Sequence, residues 1–194
     1  MILKNKKDLK NIIKQEENLY FKTKLQKYLK LVKYHPDYFS WKYIKYMRLS
    51  SYYYEVRRKN IINSLMYIIN VRKMNSLGRK IGTECGENVF DKGLKIFHTH
   101  GNVINGNARV GENCRLYGNN CIGNNGIERE CPSIGNNVRL CVGAKVLGNV
   151  TLADNIIVAA GAIVLDSCLE ERVLLAGVPA KVVARYNVMP NLLD

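Results

Sequence analysis

No apolar run in this chain approaches the ~20 residues that a bilayer-spanning helix needs, so no such helix is expected. Its start, MILKNKKDLK, turns charged at once, so no secretory signal is expected there. Prolines number four and tryptophans one. The six cysteines form no CxxC pair, and no histidine pair has finger spacing, so neither a zinc module nor a disulfide scaffold is expected. A reducing cytoplasm is the natural compartment, and buried thiols in small-residue positions are the plain reading of the cysteines.

Acidic residues are scarce in one half only. Residues 1–80 hold 20 Lys/Arg against 5 Asp/Glu, whereas residues 81–194 hold 10 against 11. Ten of the twelve tyrosines lie in the basic half. A basic, Tyr-rich half suggests an anionic partner, with a membrane surface, an acidic polymer or a phosphate-bearing substrate as candidates. It equally suits a solvated face with aromatics packed beneath. No recognised nucleic-acid module accompanies the charge, so no nucleic acid is expected.

Three helical stretches are expected in this half. Leu25, Tyr28, Leu29 and Val32 form one apolar stripe within residues 2–33. His35-Pro36-Asp37 breaks the pattern, residues 39–59 continue as an amphipathic helix, and residues 60–74 form another. A polar link, Asn75–Gly78, then leads to Ile81-Gly82.

Beyond residue 100 the chain reads in sixes, most plainly over 134–169. IGNNVR, LCVGAK, VLGNVT, LADNII, VAAGAI and VLDSCL each open on an aliphatic residue and carry a small or aliphatic fifth residue. The phase runs back through Ile122, Leu116, Val110 and Ile104, and one step earlier its aliphatic slot falls on His98. A helix repeats every 3.6 residues and a strand every two, so a period of six fits a solenoid of short strands and tight turns. Glu128 holds the in-phase slot between Ile122 and Ile134 and is a poor interior residue. The segment NNGIERECPS is therefore expected to leave the coil as a loop. The fold class is mainly β with an α-helical N-terminal part: 1–80 helical, 81–184 solenoid, 185–194 tail.

The motifs Gly93-Leu94-Lys95-Ile96-Phe97-His98, Val110–Arg115, Gly143–Gly148 and Gly177-Val178-Pro179-Ala180-Lys181-Val182 resemble the left-handed β-helix, hexapeptide-repeat acyltransferases. The likeness is to the serine acetyltransferase-like branch, which includes capsular and exopolysaccharide O-acetyltransferases. It implies a left-handed parallel β-helix, a homotrimer, and acetyl-CoA lying between subunits. His98 is then the catalytic general base, because a hydroxyl is a poor nucleophile at neutral pH until imidazole takes its proton. A backbone N–H would meet the oxyanion. The resemblance further implies cofactor binding by Val142, Gly143, Ala144, Ala160 and Gly161, with Lys181 and Lys145 as candidates for phosphate or adenine contacts. His100, two residues from His98, is a substrate-binding candidate. A His-x-His pair also suits zinc, but His35 is far off, so no metal is expected.

Two departures bear on the acceptor. Serine acetyltransferases carry Asp before the catalytic histidine, where this chain has Phe97. They carry Arg-His before the loop proline, where this chain has Glu130-Cys131. Phe97 and Cys131 are therefore read as substrate-binding, and a sugar hydroxyl in capsule or exopolysaccharide building as the acceptor. Two alternatives stand beside this reading: a serine O-acetyltransferase, and a non-catalytic trimeric scaffold that binds membrane or polymer. Localisation is expected in the cytoplasm or at the inner face of the cell membrane. Glu84 is the nearest candidate for a carboxylate that orients His98.

Overall fold

The computed structural model describes residues 5–188. Helix α1 spans Lys6–Asn18, α2 Lys24–Val32, α3 Pro36–Val56 and α4 Ile61–Ile81. Asn5, Thr23, His35 and Asn60 cap the N-termini, each accepting a backbone N–H two or three residues on, and Pro36 occupies the first turn of α3. The single stretch expected at 2–33 is two helices, with residues 2–4 lying outside the described residues. The break falls where Tyr20 and Phe21 turn inward, 5% and 4% exposed. The polar link expected at Asn75–Gly78 is instead part of the last two turns of α4. Gly78 makes this tolerable, since a Cβ there would lie 2.5 Å from the Thr83 carbonyl oxygen. Gly82, in the left-handed region at φ 66°, ends the helix.

Beyond it the chain winds into a left-handed parallel β-helix with three flat faces. The first face stacks Thr83–Cys85, Asn102–Ile104, Cys121–Gly123, Lys145–Leu147 and Ile163–Val164. The second stacks Arg109–Val110, Ser133–Ile134 and Thr151–Leu152, flanked by bridges from Phe90 and Cys168. The third stacks Lys95–Ile96, Arg115–Leu116, Arg139–Leu140, Ile157–Val158 and Val173–Gly177, and then Ala180–Arg185 folds back antiparallel.

Each hexad opens on an interior residue. Leu116, Leu140 and Val158 form one buried column with 0% exposure. The fourth member of that column is Ile96, 2% exposed and paired with Leu116. His98 therefore does not occupy the aliphatic slot that the period assigned to it. Two extra residues in the turn between Ile96 and Asn102 shift the phase, and His98 stands exposed. The loop expected after Ile122 is present, and residues 124–130, Glu128 included, are exposed.

Asparagine lines the edge between the second and third faces. Asn113, Asn137 and Asn155 sit in the left-handed region at φ 59°, 56° and 60°. Their side chains form a ladder, Asn113 Nδ2 to Asn137 Oδ1 and Asn137 Nδ2 to Asn155 Oδ1, each 3.1 Å.

One hydrophobic core runs through both parts, from Tyr20 between α1 and α2, and Trp41 and Ile44 on α3, to Ala180 in the hairpin. A buried ion pair fastens them. Arg48 on α3 reaches Glu16 on α1 at 2.7 Å, and the two side chains are 3% and 1% exposed. The same guanidinium donates to the carbonyls of Phe90 and Asp91, both at 2.6 Å. Glu16 also accepts the N–H groups of Gly93 and Leu94 at 3.1 and 3.2 Å.

Candidate active site

The candidate residues gather on the edge between the third face and the first. There the amides of Phe97, Tyr117, Cys141 and Ala159 each donate to the interior residue of the next coil, at 2.8–3.0 Å. The residues after them, His98, Gly118, Val142 and Ala160, turn the corner one above another. Gly143 N–H donates to the Gly118 carbonyl and Gly161 N–H to the Val142 carbonyl, both at 2.9 Å. Gly177 continues the column, because Leu175 pairs with Val158. This brings His98, Val142, Gly143, Ala160, Gly161 and the root of the hairpin carrying Lys181 onto one edge.

The backbone at His98 is pinned from inside. Asn102, fully buried, donates to the carbonyls of His98 and Thr99 at 3.0 and 2.9 Å. The Thr83 hydroxyl also donates to the Thr99 carbonyl. Asn119 N–H holds the His100 carbonyl at 3.0 Å, and Gly101 N–H donates to the Gly82 carbonyl at 2.8 Å. On its other side Gly118 leaves the room His98 occupies, since a Cβ there would lie 2.8 Å from the His98 Cβ. Tyr20 completes the first strand of the third face. Its hydroxyl accepts the Ile96 N–H at 2.7 Å and donates to the Ile96 carbonyl at 3.1 Å. Burial drives that phenol far above its ordinary range, so it stays protonated.

Not every candidate reaches this edge in the same way. Among the described residues the N–H groups of Val142 and Ala160 have no acceptor, which leaves two outward donors on adjacent coils. Ala144 faces the interior with 0% exposure, and its N–H is used within its own turn by the Cys141 carbonyl. Phe97 lies flat on Tyr117, ring centres 4.5 Å apart and planes within 7°, under the Lys95 ammonium at 4.4 Å. His100 is exposed beside Gly82. Lys181 pairs with Asp166 at 2.8 Å, both side chains about two-thirds exposed. Cys131 sits in the loop between the first and second faces, on a different edge from His98 within one chain. Glu84 lies on the outside of the first face opposite Val103, and no hydrogen bond joins it to either histidine among the described residues. The clefts along that face are walled by α4 residues with Glu84 and Val103, and His98 is in neither wall.

Among the described residues no group of three His, Cys, Asp or Glu side chains converges. The buried thiols are poor nucleophiles. Burial pushes the Cys85 and Cys114 thiols up to about 12, and partial burial raises Cys121 and Cys141. The residues that sequence reasoning missed are Asn102, Thr83, Gly118 and Tyr20. A signal existed for the first: Asn102 and Asn120 occupy the small interior position of their hexads, where a polar residue demands partners.

No family model matches the chain. In sequence it is similar to a serine acetyltransferase of Synechococcus elongatus, 33% identical over 115 residues, which are 58% of this chain and 45% of that protein. It is also similar to a serine acetyltransferase of Staphylococcus xylosus, 36% identical over 104 residues, 53% of this chain and 45% of that one. The chain thus spans about half the length of the curated relatives it matches. In structure it is similar to the serine acetyltransferase of Brucella abortus strain S19 in complex with coenzyme A, with TM-score 0.71 and 21% identity over 93% of this chain and 69% of that chain. The structural likeness establishes the fold. The sequence likeness overturns the sugar-hydroxyl acceptor and the capsule or exopolysaccharide role, and it favours the serine alternative. The reason is physical: a phenylalanine and a cysteine at two motif positions say which side chains are lost, not which acceptor takes their place.

Proposed function

We propose that the chain is an acetyl-CoA-dependent O-acetyltransferase whose acceptor is the hydroxyl of serine. The sequence likeness to serine acetyltransferases supports this most directly. In the proposed step the serine oxygen attacks the thioester carbonyl carbon while His98 takes the hydroxyl proton. The C–S bond then breaks, and coenzyme A leaves as a thiol on receiving that proton back. Proton transfer of this kind is worth ~10²–10⁴ in rate. The outward N–H groups of Val142 and Ala160 are suited to the amide carbonyls of the pantetheine arm, and Gly143 and Gly161 leave the edge bare for it to approach. Lys181 is assigned to a phosphate of the cofactor, which would compete with Asp166 for it.

Phe97 carries no charge for the serine ammonium group, so in this reading His100 and groups from a neighbouring subunit complete the acceptor site, Cys131 of its loop among them. A homotrimer built on the β-helix (81–184) is part of the proposal, with 1–80 as a helical domain and 185–194 as a tail whose last six residues lie outside the described residues. Light scattering should return about three times the chain mass of 22.1 kDa. Peripheral contact with an anionic membrane is proposed for α2, whose Leu25, Tyr28 and Val32 are 61–65% exposed between lysines. Its test is co-sedimentation with phosphatidylglycerol vesicles, and Leu25→Ser with Val32→Ser should abolish it.

The central experiment measures free thiol release from acetyl-CoA with and without serine. Serine-dependent release in the wild type, falling ~10²–10⁴-fold in His98→Ala, is the expected result. No serine-dependent release, or an unchanged rate in the variant, defeats the reading.

A further inference from the structure

A cleft of about 630 Å³ lies between α3 and α4. Its walls carry five cations: Lys42 from α3, and Arg72, Lys73, Arg79 and Lys80 from α4. No carboxylate lines it, and α4 contains no acidic residue in its 21 positions. The two acids of α3, Asp37 and Glu55, stand at opposite ends of that helix. Among the described residues none of the five is in a salt bridge, although Lys14, Lys27, Lys30, Arg48, Lys92, Lys181 and Arg185 all are.

Arg72 and Arg79, and likewise Lys73 and Lys80, lie seven residues apart, so each pair shares one side of the helix within the last three turns of α4. The helix dipole favours cations there, but only over the last turn. Lysine and arginine offer donors and no acceptors. The hydroxyls of Tyr46 and Ser76 add neutral donors to the same wall. The Lys73 ammonium lies 5.8 Å from the Tyr46 ring centre and the Lys42 ammonium 5.6 Å from the Tyr38 ring centre, and neither has a carboxylate partner among the described residues. A concave wall with five cations and no carboxylate suits an organic ligand with clustered negative charge.

We infer that the α3–α4 cleft binds a phosphate ester bearing at least two negative charges, through Lys42, Arg72, Lys73, Arg79 and Lys80. Arg72 and Arg79 supply planar forks for paired phosphate oxygens, and the lysines act as point charges around them. Two sources share this chemistry, a free phosphate ester and the headgroup of an anionic phospholipid. The inference is independent of acetyl transfer, because binding is read without acetyl-CoA or serine.

Titration calorimetry of the full chain with inorganic pyrophosphate, and co-sedimentation with phosphatidic acid vesicles, whose headgroup is a phosphomonoester, of the full chain carrying Leu25→Ser and Val32→Ser, supply the two arms. Arg72→Gln with Arg79→Gln should weaken binding at least tenfold in whichever arm the wild type shows it. Lys73→Gln with Lys80→Gln is the second test pair; all four side chains are exposed, so folding is preserved and circular dichroism verifies it. Lys6→Gln with Lys10→Gln on α1 removes the same charge elsewhere and should change affinity less than twofold. Pyrophosphate binding that depends on the cleft identifies a free ester, and vesicle binding alone that depends on it identifies a lipid headgroup. No binding in either arm, or an equal loss in the α1 control, overturns the site in favour of diffuse charge.

Discussion

At the scale of single residues, the candidate base is positioned by groups that never touch the reacting atoms. Asn102 and Thr83 hold the backbone of the His98 turn from within, and Gly118 leaves room above it. Gly118→Ala places a methyl group 2.8 Å from the His98 Cβ at a backbone φ of +111°. We expect it to cost about 1–3 kcal/mol, with thiol release falling alongside, as urea unfolding and initial rates would check. The buried thiols give a pH signature. Cys85 and Cys114 are raised from 9.0 to about 12 in the folded chain, so the folded state keeps protons that the unfolded state gives up. Their contribution is complete below pH 9 and is lost as pH climbs toward 12. Stability measured by urea should therefore fall across pH 9–12. Replacing both by alanine should flatten that fall while lowering stability at pH 7 through the cavities left behind.

At the scale of elements, the turns carry as much of the specification as the strands. Strands of two or three residues make few ladder bonds, so the side-chain ladder along the second edge adds what the backbone lacks. Asn137 sits in its middle, donating upward, accepting from below, and holding a left-handed backbone. Asn137→Ala should lose about 2–4 kcal/mol in urea unfolding, combining two hydrogen bonds with a left-handed penalty. Asn137→Gly, which keeps the conformation, should lose less. The first strand of the third face has no coil beneath it, and the Tyr20 hydroxyl serves both polar groups of Ile96 in place of one. Tyr20→Phe leaves both unsatisfied and should cost about 1–3 kcal/mol by the same measurement.

At the scale of the whole molecule, helices and β-helix share one core and one buried ion pair. Glu16→Gln leaves the Arg48 guanidinium uncompensated in a dry site, at a cost of about 3–5 kcal/mol. Because Glu16 also gathers the Gly93 and Leu94 amides, the loss should appear as one cooperative transition at lower urea, with helical and sheet signals moving together. Separate transitions for the two signals would show that the ion pair does not couple the parts. Charge is also organised at this scale: α4 carries four cations and no acid, and together with Lys42 of α3 they line a cleft.

The sequence by itself determined the coil, because a six-residue period has few physical realisations and the interior residues declare it. It likewise marked the loop at 124–132 through an acid in an apolar slot, and the helical stripe of α2 through spacing. It placed His98 wrongly within the coil, since two inserted residues shift a phase that only strand pairing, Ile96 on Leu116, can reveal. It read Asn75–Gly78 as a link, when contact between Gly78 and Thr83 lets α4 run on. Tyr20 and the Glu16–Arg48 pair were invisible in the linear chain, because their partners lie on other elements up to 78 residues away. Periodicity is a local property that composition can carry; the satisfaction of a buried polar group is a meeting of distant segments, and only the folded chain decides it.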